Sequence, residues 1–300
     1  FNLENLSGID VSDNGITDIT FLMGNPNLKQ IDVSGNNVSN LTIINGTNSD
    51  DFDNLEQINA KNITGVNNLD GAFIDLPDLN FIDLTGTTLY SINNSFNNLD
   101  ELTTLRLTGE ALTTIENSFN NIFASSSSDN DIILLNGNLY SIIDSFNVGN
   151  YNVIGITTHI NNSGEPSLIE NSFNDLNVNG IQGITISGNE FNTVTNSFNR
   201  VVVDNLFLAN NVIEVITGSF EESNISIELN LQNNELSTLD LSLIENVRTL
   251  DLANNALTTV SFLDGVPGLI DLDISSQLTF DGSSFTLFGI DGINNMPLLT

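Results

Sequence analysis

Catalysis needs a nucleophile, a base or a metal whose partners can reach it. This chain offers little of that. Its one histidine, His159, lies in the stretch TTHINNSGEPS, and cysteine is absent altogether. Thiol chemistry and a disulfide framework are therefore excluded. There is no GxSxG elbow, no phosphate-cradling glycine loop, no HExxH pair and no dinucleotide fingerprint. Serine and aspartate abound, but they recur at fixed intervals, so repetition explains their positions better than a site does. No enzymatic role is expected, and none of these residues is assigned to catalysis. His159 falls near a turn or in the adjoining loop, where a structural role is expected.

The balance of charge limits the partners. Acids outnumber bases 38 to 5 in 300 residues, for a formal net charge of −33, although charged residues make up only 14% of the chain. Polarity comes largely from Asn, Ser and Thr. Such a surface repels nucleic acid and anionic membranes, because it offers neither phosphate neutralisation nor counterion release. It suits cations, basic proteins or neutral sugars. A cytoplasm at high salt is another setting for acidic proteins. No apolar run approaches the roughly 18 residues of a membrane span, so direct insertion is not expected.

The element that must position any site is a repeat. The phrases LYSINNSFNN (89–98) and LTTIENSFNN (112–121) return as LYSIIDSFN, LIENSFN, TVTNSFN and EVITGSF. A broader pattern runs through the chain: apolar–x–apolar, a small polar residue, then apolar–x–x–apolar. Clear copies are Ile9/Val11/Asn14, Ile31/Val33/Asn36, Leu206/Leu208/Asn211 and Leu229/Leu231/Asn234. Degenerate or loose copies start at Ile58, Ile132 and Ile154. There are about twelve copies at a period of about 20–30 residues. Each apolar–x–apolar reads as a short strand whose apolar residues point inward. Stacking these strands gives one parallel sheet on the inner side of an arc. The Asn after each strand is expected to be buried, bonding backbone of its own turn and the next. Phe96, Phe119, Phe146, Phe173, Phe198 and Phe220 should form one internal column. The segments 45–54, 123–131 and 157–167 read as loop insertions.

This pattern resembles the leucine-rich repeat over essentially the whole chain. The opening IDVSDNGITDITFL and NPNLKQIDVSGNNVSNLT look like internalin-type bacterial repeats, and the SFNN region looks closer to typical or BspA-like ones. The resemblance implies an α/β-type leucine-rich repeat solenoid: a right-handed arc with a parallel β-sheet on the concave face and a 3₁₀, short helical or irregular convex side. Residues 1–300 would form a single solenoid. NMPLLT (295–300) looks like the lead-in to a further strand, so a segment of a longer chain is expected.

Function on such a scaffold is expected on the concave face, where side chains form an ordered array. The residue inside each strand motif reads Asp10, Asp32, Asn59, Asp83, Arg106, Ile133, Gly155, Thr185, Phe207, Asn230, Asp251, Asp273. The ends are acidic and the centre is not. Phe81, Arg106, Ile133, Val153 and Phe207 are the candidate ligand-binding patch, since exposed aromatics and Arg anchor interfaces. Asp251, Asp271 and Asp273 should crowd one face, and calcium is the cation that would relieve their repulsion. The alternative for this acidic end is a solvated surface, and no other cofactor is indicated. The family resemblance implies a secreted or cell-surface adhesion module that binds a protein or glycan. The alternative is a structural unit of an extracellular fibre, sheath or surface layer, assembling end to end. Asn-x-Ser/Thr triplets at Asn5, Asn37, Asn40, Asn45, Asn62, Asn93, Asn161 and Asn224 arise readily by chance in an Asn-rich chain.

Overall fold

A computed structural model describes residues 5–47, 52–108, 111–123, 131–137, 139–158, 167–179 and 183–277. His159, residues 48–51 of the first expected loop insertion and most of the other two lie outside the described residues. The chain is a parallel β-solenoid. Its first sheet carries twelve successive strand motifs in one unbroken path, from Gly8–Asp10 to Asp271–Asp273. Every neighbouring pair is parallel. The repeat register read from the sequence holds throughout: Ile9 lies opposite Ile31, Ile31 opposite Ile58, Ile58 opposite Ile82, and so on to Leu250 opposite Leu272. The loose copies at Ile132 and Ile154 pair in register as well.

Beyond the first sheet, where the sequence leaves 3₁₀ turns, short helices and extended chain open, the coils are largely extended. Only two 3₁₀ helices occur among the elements described, Thr20–Leu22 and Ser261–Gly265, towards the two ends. Between them runs a second parallel sheet of seven strands, from Asn68–Asp70 to Val215–Thr217. The first six of these strands bury their central Leu, Ile or Val and turn their flanking residues outward, the period-2 pattern of a half-buried strand, and Ile216 of the seventh is partly buried. Ile92, Ile115, Ile142, Ile169 and Val194 form this inward row at 0–1% exposure. Among the described residues, no helix is long and apolar enough to cross a membrane.

The SFNN phrase makes the corner after this second sheet. The expected Phe column exists and gains Phe73 at its start. Seven rings stack at centroid separations of 4.7–5.9 Å. All seven are at most 1% exposed. Each of these Phe residues has a positive φ, between 56° and 67°. This left-handed conformation costs an ordinary side chain about 1–2 kcal/mol. Asn tolerates it better, which explains why Asn so often stands two residues before and after the Phe: Asn94 and Asn98, for example, have φ 45° and 58°.

Two buried ladders hold the corner in place. The backbone N–H of Ser95 is donated to the Ser118 hydroxyl, that of Ser118 to Ser145, and so on to Ser219, at 3.0–3.1 Å. Each hydroxyl in turn donates to the carbonyl two residues upstream, as Ser145 does to Ile143. Asn97, Asn120, Asn147, Asn174 and Asn199 form the second ladder. Each accepts an N–H from the next coil at 2.7–2.9 Å. Each also donates to a carbonyl of that coil. The buried serines and ladder asparagines of the corner thus find partners along the stack, as burial demands.

The ladder expected after the first sheet is also present, with one correction of direction. Asn36, Asn234 and Asn255 bond their own turn and the preceding one, not the next. Asn234 donates to Leu231 of its own turn and Leu208 of the coil before, and accepts from Ile213 of that coil. Gln277 takes the same position in the last described coil. Tyr151, fully buried, donates its hydroxyl to the Phe119 carbonyl, and burial pushes its ionisation well above the ordinary range.

Candidate functional site: the outward face of the first sheet

Within each coil the scaffold positions repeat; along the outward row of the first sheet Asp and Asn recur towards both ends, and the middle, Arg106 to Phe207, does not repeat. The twelve residues from Asp10 to Asp273 occupy one register row, each opposite the next. Adjacent strands are about 4.8 Å apart, so this row is a continuous line of side chains.

Most acids in the row already have a local task. The Asp10 carboxylate accepts the N–H of Ser12, Asp32 that of Ser34, Asp83 that of Thr85, Asp251 that of Ala253, and Asp273 that of Ser275, at 2.8–3.0 Å. Asn59 and Asn230 accept the same bond at 3.1–3.2 Å. A side chain that bonds the backbone two residues on ends the strand and starts the turn. The N–H and hydroxyl of Ser12 hold the Asp10 carboxyl below the usual carboxylate value, and the hydroxyl and N–H of Ser275 do the same for Asp273. The recurrence of Asp in this row is therefore a strand-end device before it is anything else. Asp251 lies opposite Asp273, and Asp271 opposite Thr249. Among the described residues, no three His, Cys, Asp or Glu side chains are grouped to hold a metal ion.

The five patch residues are not all brought together. Phe81 and Arg106 meet: the guanidinium carbon lies 5.6 Å from the ring centroid, and Nη1 is 3.7 Å from Asp83 Oδ2. Cation over ring is an attractive arrangement, and it fixes a side chain that is 61% exposed. Ile133 follows Arg106 in register. Phe207 stands three strands beyond Ile133, after Gly155 and Thr185, roughly 14 Å away. Val153 is not surface: it is only 9% exposed, so it packs rather than presents.

Phe81 and Arg106 close one end of a trough of about 740 Å³ that runs over the first five strands of the sheet. Gln30, Gln57 and Lys61 line it beside the register row. Sequence reasoning missed these three. The signal was available, since residues two before and two after an outward residue share its face.

No family model matches this chain, and no curated protein matches. Comparison with solved structures finds leucine-rich repeat proteins. The Drosophila Toll–Spätzle complex matches at TM-score 0.44 and 17% identity, over 91% of this chain and 38% of that one. A TLR13–ssRNA13 complex matches at TM-score 0.28 and 15% identity, over 98% and 56%. A leucine-rich repeat protein of Leptospira interrogans matches at TM-score 0.28 and 12% identity, over 99% and 83%. The chain thus spans well under two thirds of the first two. Likeness at this level assigns neither family nor ligand.

Proposed function

We propose that this chain is a non-catalytic recognition module that binds a protein or glycan through the outward face of its first sheet, on a secreted or cell-surface protein. One observation carries the reading: over a repeating scaffold, the middle of the outward row, from Arg106 to Phe207, does not repeat, and Arg106 is seated there on Phe81. Such variation over a fixed frame is how solenoids build extended binding surfaces. The non-catalytic part rests on the engagement of the reactive side-chain types. The serines of the SFNN phrase are bound into a buried ladder, and five row aspartates hold backbone N–H groups. The surface charge disfavours nucleic acid as a ligand.

The test is binding of the labelled chain to arrays of extracellular proteins and of glycans, repeated with Arg106→Ala and Phe207→Ala. Anchor residues contribute more than about 1 kcal/mol, so at least one substitution should weaken a bound ligand about five-fold or more. A ligand indifferent to both would remove this face from the function.

A further inference from the structure

We propose that the trough beginning at the first strand is a binding site for a neutral, hydroxyl-rich oligosaccharide chain, a deepening that rests on the recognition reading above. The volume, about 740 Å³, is of small-ligand size, but the lining is not the apolar one that usually accompanies it. The trough crosses five strands, roughly 19 Å, which suits an elongated ligand.

The lining chemistry selects the class. Asp10, Asp32 and Asp83 can only accept hydrogen bonds, and Lys61 and Arg106 can only donate. The amides of Gln30 and Gln57 do both. A sugar hydroxyl also donates and accepts, so an array of mixed polarity can saturate many of them at once. An anionic ligand would meet three carboxylates in a chain of net charge −33. A cationic one would meet the ammonium and the guanidinium. A neutral polyol meets neither penalty.

The acceptors are preorganised. Each trough aspartate is pinned by its own backbone bond, and Asp32 also accepts from the Asn59 amide at 2.8 Å. Gln30, Gln57 and Lys61 make no side-chain hydrogen bond or ion pair among the described residues, so they are available to a ligand. The half-buried Phe81 ring supplies the one aromatic surface, and Arg106 is held over it. Fixed acceptors and an anchored ring lower the ordering cost of binding, while Gln30, Gln57 and Lys61 supply unengaged groups that a ligand must order.

The test is native electrophoresis in gels containing laminarin, mannan, xyloglucan, hydroxyethylcellulose or dextran, with polygalacturonate as the acidic comparator. Retardation by at least one neutral polysaccharide is expected, with affinity falling about ten-fold in Gln57→Ala, the loss of one or two hydrogen bonds. Phe81→Ala should weaken it similarly, and Tyr90→Ala, an exposed ring outside the trough, should not. Binding should change little with salt, because no ion pair forms. Gln57 is exposed, so its variant keeps the fold, which a melting curve verifies. Retardation by none of the five, by polygalacturonate alone, or equally in wild type and Gln57→Ala, overturns the proposal. A protein ligand lost in Phe207→Ala and unaffected in Gln57→Ala would overturn the glycan site while the recognition reading stands.

Discussion

Phe146→Ala probes the stack that holds the coils together. The ring is completely buried and lies between Phe119 at 4.7 Å and Phe173 at 4.8 Å, nearly parallel to both. Truncating a buried Phe costs about 3–5 kcal/mol from lost transfer energy and the cavity left behind. Two stacked contacts, each worth about 0.5–1.5 kcal/mol beyond area, put this site near the top of that range. Alanine inherits the φ of +57° and gains no relief from it. Urea unfolding should therefore show a loss of about 4–5 kcal/mol. Hydrogen exchange should locate the weakening in the neighbouring coils, because solenoid stability is a sum of local and nearest-neighbour terms. Phe207→Ala, on the half-buried outward row, should cost far less. A loss under about 1 kcal/mol at Phe146 would refute the column as a source of stability.

Other perturbations separate buried ladders from surface charge. Ser145→Ala orphans the buried N–H of Ser118 and should cost about 1–3 kcal/mol in the same urea assay. Asn234→Ala removes two good donor bonds and one acceptor bond, at about 2–3 kcal/mol by the same measurement. Arg200→Ala breaks a two-point pair with Asp175, yet both side chains are substantially exposed, so the loss should stay below about 1 kcal/mol. Bonds to Arg200, Ser242 and Ser275 hold Asp175, Asp240 and Asp273 below the usual carboxylate value of 3.8. The unfolded chain therefore binds protons more tightly at these groups. Their stabilisation is full above that value and is lost as pH falls through the lower folded values. Melting temperatures should fall below about pH 4, and replacing Asp273 with Asn should flatten that part of the curve.

The repeat was legible because two periodicities coincide. Alternation within Ile–x–Ile sets which side faces in, and the spacing between copies sets which residues become neighbours. That was enough to align Asp10 with Asp273 across twelve strands and to stack Phe96 to Phe220. The second sheet was not legible. Its strands are three residues long, as in Ser91–Asn93, with at most one buried apolar residue each. One apolar residue carries no period, so strand and 3₁₀ turn read alike. The left-handed Phe was hidden for another reason: its conformation is imposed by ladders from neighbouring coils, not by local preference. At the site, the repeat register located Arg106 and Phe81. It could not reveal that the aspartates of the row are bound to their own backbone, nor that Val153 is buried.

The claim beneath all of this is that residues far apart in sequence share one outward row. Cysteine is absent, so engineered pairs can test it without background. Asp32→Cys with Asn59→Cys, and Thr185→Cys with Phe207→Cys, join register neighbours. Neighbouring strands bring Cα atoms within the 4.4–6.8 Å that a disulfide spans. Mild oxidation should cross-link both pairs, whereas Asp32→Cys with Lys61→Cys, two residues out of register, should remain reduced. Equal cross-linking of in-register and offset pairs, or none in either, would contradict the shared row and every reading built on it.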